Sequence, residues 1–326
     1  MKFQRYLLVI FIINMIKLLL LLSLLYIIYL HIFGNNYYII TIFLIKIGPF
    51  MFLMLLVSGN IFFLLYLLFH SVYRLFIHDF NKYRIPTQMN ISYIYEMNQN
   101  SSKFINYHLL NFPKINKQEN YIYLYSPHAL YAHGFLHLFG SFNGILKQPI
   151  VSLVHRFFFI TPFLGDLFDN CGFMECSYEN LNELLDRKKS VGLIPGGLEE
   201  AINTKQNKET IFIKKRRGIF ELSIKHRTPI VPIMAIGESD FYSYPNLSKK
   251  ITSKFIRLFL YTLSWGNLFI PWRPQKNNIH IMFGEPIYPS DKDSMRTLKE
   301  KYISSLKNLH IKLNNKTNQH RELVIL

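Results

Sequence analysis

An α/β domain with a largely parallel sheet, preceded by an N-terminal transmembrane helical hairpin, is the architecture this sequence predicts. Two observations carry that expectation. The first 70 residues contain no Asp or Glu, and their only Lys and Arg are Lys2, Arg5, Lys17 and Lys46. From about residue 71, short apolar runs alternate with helical patterns, as they do where crossover helices join parallel strands. The chain therefore divides into a membrane hairpin over 1–70 and a globular domain over 71–326.

The hairpin follows from length and interruption. Residues 6–33 carry only Lys17 and His31 as basic residues and exceed the roughly 20 that a bilayer requires. No small-residue cleavage site follows, so a spanning helix is expected rather than a signal peptide. A second apolar stretch over 37–69 is interrupted by Lys46, Gly48-Pro49 and Ser58-Gly59-Asn60, which predicts a kinked or broken span. Only Gly34-Asn35-Asn36 join the two, hence a tight hairpin. Lys2 and Arg5 before it, with Arg74, Lys82 and Arg84 after it, place both flanks on the cytosolic side.

Within the globular part, residues 121–125 (YIYLY), 150–154, 190–194 and 230–235 read as short buried strands. Ser177 is a fitting N-cap for a helix over 179–189. A second helix is expected over 291–313, where Leu298, Tyr302, Leu306, Leu309 and Leu313 recur at three- and four-residue spacing. The apolar run 255–272, with Trp265 and Trp272, reads as an interfacial segment or a core helix.

Charge narrows the partners. The chain has 37 Lys and Arg against 20 Asp and Glu, a net charge of +17, and about +13 of that lies in 71–326. Such a balance favours an anionic membrane surface or a phosphate-rich substrate. No zinc-finger spacing or aromatic RNA-binding signature points to nucleic acid. The two cysteines, Cys171 and Cys176, are too few for a disulfide scaffold and fit a reducing compartment.

Three segments carry chemistry, each at a strand end where open α/β sheets bind ligands. In Tyr125-Ser126-Pro127-His128-Ala129, Pro127 fixes the chain just before a histidine whose imidazole can take a proton from an alcohol. In Ile194-Pro195-Gly196-Gly197-Leu198-Glu199-Glu200, paired glycines permit close backbone approach, and Glu200 is placed to orient His128 or hold an acceptor hydroxyl. Lys214-Lys215-Arg216-Arg217-Gly218 opens a helix ending near His226, and four cations there oppose the helix dipole. Phosphate binding explains them better than helix stabilisation. His133 and His137 share a helix spacing, but no HExxH pattern accompanies them, and no metal is expected. There is no G-x-S-x-G nucleophile elbow.

Taken in order, these segments resemble the type-2 diacylglycerol acyltransferase family, which includes monoacylglycerol and wax-ester synthesising members. YIYLYSPHALYAHG is similar to the family's strand and HPHG block. In plant-type members that block reads EPHS, and His128 falls on the histidine retained there. Residues 162–202 are similar to the segment ending in PGG-x-x-E, with Glu200 on the glutamate. Residues 214–242 are similar to RxGF…VPVxxFGE, which sets Arg216, Gly218, Pro232, Gly237 and Glu238 on its recurrent positions. FGEPIYP over 283–289 resembles a late G-[RK]-P-I segment. Ser126 stands in place of the first histidine of HPHG and Ala129 in place of its glycine. The aspartate that the wider glycerolipid acyltransferases carry five positions after their histidine is His133 here.

The resemblance implies a glycerolipid-acyltransferase-like fold and an acyl-CoA-dependent O-acyltransferase. It would esterify diacylglycerol, or a similar neutral lipid alcohol, to triacylglycerol with a histidine general base. Catalysis falls to His128 and Glu200, and substrate binding to Pro127, Pro195, Gly196, Gly197, Arg216, Gly218 and Glu238. Acyl-CoA is a co-substrate, no cofactor is implied, the acceptor is a membrane lipid, and homo-oligomerisation stays open. The implied location is the endoplasmic reticulum membrane and lipid droplets, with the catalytic domain cytosolic. Two rival readings are a lysophospholipid acyltransferase and a catalytically inactive lipid-binding scaffold.

Overall fold

The computed structural model describes residues 69, 72–73, 105–116, 118–129, 132–139, 149–160, 165, 168–169, 171–241 and 277–326. The expected hairpin and the run 255–272 lie outside the described residues, apart from Phe69. The chain divides into two compact units, Met1–Ile77 and His78–Leu326. In the first, Phe69, Val72 and Tyr73 are described, and all three are exposed. The second unit holds all the other described residues.

Its elements follow in the order β1 (Ile105–Leu110), β2 (Ile122–Ser126), α1 (His133–Phe139), β3 (Ile150–Val154), α2 (Phe157–Ile160), β4 (Met174–Glu175) and α3 (Tyr178–Asp186). Then come β5 (Ser190–Leu193), α4 (Gly197–Ile202), β6 (Lys208–Ile211), α5 (Gly218–His226), β7 (Ile230–Ile236), β8 (Asn277–Phe283), α6 (Met295–Thr317) and β9 (Glu322–Ile325). Seven strands form one sheet in the order β1-β8-β7-β2-β5-β3-β4. The run β7-β2-β5-β3-β4 is parallel throughout, while β8 pairs with β7 antiparallel and carries β1 alongside it. The fold is thus α/β with a mostly parallel sheet. β6 and β9 make a separate parallel pair.

All four strands expected from the sequence are present, because their apolar runs are buried on both faces. Every residue of β2, β5 and β7 is buried. Pro232 fits inside β7 because the ladder to β8 begins one residue later, at Ile233. Ser177 caps α3 as expected, its hydroxyl accepting from the Asn180 N–H, and Leu181, Leu184 and Leu185 pack inward. That helix ends at Asp186 rather than 189, with Arg187 at the C-cap. The long C-terminal helix starts at Met295 rather than 291. Asp293 turns back to accept from Ser290, and Ser294 then takes the cap by accepting from the Thr297 N–H. Its leucine stripe, with Tyr302, is buried against the sheet as its periodicity predicts.

Register positions the site. Leu124, Leu193, Leu153 and Met174 form one transverse row across β2, β5, β3 and β4. Whatever follows that row lies along a single carboxyl edge.

Candidate active site

The parallel strands β7, β2 and β5 end side by side, and each hands the chain to a candidate residue. After β2 the chain passes through Pro127, in a cis peptide bond with Ser126, to His128; all three are buried. The His128 main-chain N–H donates to Glu200 Oε1 at 2.6 Å, and ring Nε2 stands 2.7 Å from the Gly197 carbonyl oxygen. A carbonyl only accepts, so Nε2 carries the proton and the free lone pair belongs to Nδ1. Nδ1 is buried without a hydrogen-bond partner. Burial pushes the imidazole pKa down to about 4, which keeps the ring neutral at physiological pH.

Beyond β5, the turn Pro195-Gly196-Gly197 opens α4. Both glycines are dictated by geometry. A Cβ on Gly196 would lie 1.9 Å from the Glu200 carboxylate, and Gly197 sits at φ 55, in the left-handed region. Sequence reasoning expects Glu200 to orient the histidine or hold an acceptor hydroxyl. Its second oxygen accepts from the Phe212 N–H at 3.2 Å, so both oxygens are occupied by main-chain donors. Glu200 fixes the backbone of His128 and leaves its ring to Gly197. Burial pushes the carboxyl pKa up to about 8, against the pull of those two donors.

The cationic run divides. Arg216 turns inward, Nη2 donating to the Gly196 carbonyl at 2.9 Å, and its guanidinium lies 5.4 Å from the Phe212 ring centroid. Its buried Nε has no partner. Lys214, Lys215 and Arg217 stay exposed. The helix they were expected to open begins only at Gly218, with Arg217 in the cap position. Glu238, just past β7, forms a second network: Oε1 accepts from the Tyr125 hydroxyl at 2.8 Å and from the Gly134 N–H. Its buried Oε2 is unpartnered, and burial pushes the pKa up to about 8.

The structure thus joins His128, Gly196, Gly197, Glu200 and Arg216 in one hydrogen-bonded set, with Pro127 and Pro195 buried in its turns. Glu238 stands just past the neighbouring strand β7 and Gly218 at the start of α5. Sequence reasoning missed Tyr125 and Gly134 as partners of Glu238, although both lie in the YIYLYSPHALYAHG block. It missed the Phe212 N–H, which no side-chain pattern reports. Ser126 turns its hydroxyl beside that of Tyr302 on α6, and both are buried. His133 and His137 diverge: His133 meets Phe241 edge-on at 5.4 Å, and His137 stacks on Tyr107 at 3.7 Å. Among the described residues no group of three or more His, Cys, Asp or Glu is arranged to hold a metal.

Fold and site together define an α/β protein with a neutral histidine braced by backbone groups at the carboxyl edge of its sheet. The chain belongs to the diacylglycerol acyltransferase family, whose model matches residues 54–325. It is 28% identical over 198 residues to acyl-CoA wax alcohol acyltransferase 2 of Mus musculus, covering 53% of this chain and 58% of that one. It is 26% identical to diacylglycerol O-acyltransferase 2-like protein 6 of Mus musculus, covering 60% and 66%. With diacylglycerol O-acyltransferase 2 of Dictyostelium discoideum it shares 28% identity, covering 61% and 67%. The matched stretch thus spans about three-fifths to two-thirds of these relatives' length. Among solved structures, a 1-acyl-sn-glycerophosphate acyltransferase of Thermotoga maritima shows partial likeness, with a TM-score of 0.44 and 13% identity over 84% of this chain and 97% of that one.

Proposed function

We propose that the protein is an acyl-CoA-dependent O-acyltransferase that esterifies diacylglycerol, or a similar neutral lipid alcohol, with His128 as general base. One observation carries the base assignment: a buried, neutral imidazole whose Nε2 is committed to the Gly197 carbonyl and whose Nδ1 is free. In this reading Nδ1 takes the acceptor hydroxyl proton as the oxygen attacks the thioester carbonyl. The C–S bond then breaks, and the proton passes from His128 to the leaving CoA thiolate. No covalent enzyme intermediate is needed, because the thioester is already activated.

Glu200 and Arg216 are positioning residues, one holding the His128 backbone and the other the Gly196 carbonyl. The main-chain N–H groups of Gly196 and Gly197 serve the oxyanion, and Glu238 presents its free oxygen to the acceptor. Family membership and the names of the relatives support the substrate classes. The endoplasmic reticulum membrane and lipid droplets are the proposed location, with the domain facing the cytosol where acyl-CoA is made. No carboxylate meets the His128 ring among the described residues, which separates this site from a histidine–aspartate dyad.

The test is to incubate membranes containing the protein with labelled acyl-CoA and a panel of diacylglycerol, monoacylglycerol, fatty alcohol and lysophospholipid. Labelled triacylglycerol with equimolar free CoA is the expected result. Label only in a phospholipid, or no turnover with lipid still bound, would overturn the reading.

A further inference from the structure

The carboxyl edge continues past the histidine. Beyond the row Leu124, Leu193, Leu153 and Met174 come, in spatial order, His128, the Pro195-Gly196-Gly197 turn, His155-Arg156 and Cys176-Ser177-Tyr178. The Cys176 N–H, one residue past β4, still donates to the Val154 carbonyl at 2.8 Å, so the edge stays regular up to the start of α3. Three inter-strand spacings separate the β2 end from the β4 end, about 14 Å.

At the far end stands Tyr178, half of its surface exposed although it belongs to the first turn of a well-packed helix. One edge of its ring rests on Gly218, where a Cβ would approach Cδ2 to 3.1 Å, so any side chain at 218 would press on the ring. Gly218 follows Arg217 directly. Arg217, in the cap position before α5, is thereby brought beside the ring; exposed Lys214 and Lys215 come just before it in the chain, and exposed Arg156 follows the adjacent strand β3. Arg216, between them in sequence, is already engaged by Gly196. A half-exposed aromatic ring with Arg217 beside it and further exposed cations along the same chain segment, set about a pantetheine arm's reach along the edge from an acyl-transfer base, fits a phosphorylated purine nucleotide.

We infer that Tyr178 is the stacking platform for the adenine of the acyl donor, with Arg217, Lys215 and Arg156 taking the nucleotide phosphates. This rests on the acyl-CoA reading above and names the far end of the same site. It also reassigns the cationic run: Arg216 braces the catalytic turn, and its exposed neighbours meet the phosphates.

The experiment is equilibrium binding of desulfo-CoA to the full-length protein in detergent, for wild type, Tyr178→Ala, Tyr178→Trp and Arg217→Ala. Wild type should bind. Tyr178→Ala should weaken binding about tenfold, near the low end of what loss of one base-stacking ring costs, and Tyr178→Trp should keep it. Arg217→Ala should weaken binding and flatten its salt dependence. Wild-type affinity in Tyr178→Ala, or equal loss in Tyr178→Trp and Tyr178→Ala with all melting temperatures unchanged, would overturn the platform. Desulfo-CoA bound through Tyr178 by a protein that turns over no acyl-CoA would uphold the platform and overturn the transferase reading.

Discussion

Ala129 shows what one residue can cost beside a reactive group. It sits at φ 49, in the left-handed region that a β-carbon disfavours. The related HPHG block has glycine at this place, so the chain accepts strain where that block relieves it. Ala129→Gly should therefore raise unfolding stability by roughly 0.5–1 kcal/mol, despite the extra freedom glycine gains when unfolded. Thermal melts would show it, and a lowered midpoint would refute the strain. Ser126, the other departure, is buried and turns its hydroxyl toward buried Tyr302.

His128 also couples site and pH. Its pKa is near 4 when folded, below the ordinary histidine value of about 6.5, so between those limits the unfolded chain binds the extra proton. Its contribution is present above pH 6.5 and lost as pH falls toward 4. Buried His133 and half-buried His137, also pushed down to about 4, act the same way. Stability should rise from pH 4 to 6.5, and His128→Ala should reduce that slope by about 1.4 kcal/mol per pH unit. A slope identical in the variant would mean that the imidazole is not buried neutral. At this scale the identities of His128, Gly196, Gly197 and Glu200 were legible, because strand-end turns advertise themselves. The second partner of Glu200 was not, since the Phe212 main-chain N–H just past β6 leaves no trace in side-chain spacing.

Among the elements, the strands that carry the site were the readable ones. Runs such as YIYLY and IVPIMAI are apolar at every position because both faces are covered. β1 and β8 were missed: Asn106, His108, Asn277, Asn278 and His280 interrupt their apolar pattern at the sheet margin. β6 and β9 were missed for another reason. Their pairing joins residues 208–211 to 322–325, far apart in the chain, and a buried ionic network stands beside it. Arg321, just before β9, is buried and meets Glu209 on β6, Asp240 and the Ser239 hydroxyl in the turn that carries Glu238. Removing one member leaves buried charge uncompensated. Arg321→Ala should destabilise by about 3–5 kcal/mol and Arg321→Lys by less, measured by chemical unfolding. A loss under about 1 kcal/mol, the range of exposed pairs, would show that this network does not hold the turn.

For the whole molecule, the charge of +17 and the apolar first 70 residues were legible as composition. Among the described residues no helix is long and apolar enough to cross a membrane, and the expected spans fall outside them. Topology is open to an internal reporter. Asn90, Asn100, Asn246 and Asn315 each begin an N-x-[ST] acceptor sequence, and Asn315 lies exposed on α6. Expressed in a eukaryotic cell, the protein should show no mobility shift on glycosidase treatment. A shift abolished by mutating these asparagines would place the domain in the lumen.

If His128 is the base of an acyl transfer, removing its imidazole must abolish turnover without abolishing donor binding. Membranes carrying equal amounts of wild type and His128→Ala are given labelled acyl-CoA and diacylglycerol, and initial rates of labelled triacylglycerol formation are measured. The substitution removes Nδ1 while leaving the Glu200 contact to the 128 main chain in place. The rate should fall by roughly 100- to 10,000-fold, with membrane insertion and desulfo-CoA binding retained. A rate within a few-fold of wild type would rule His128 out as the base.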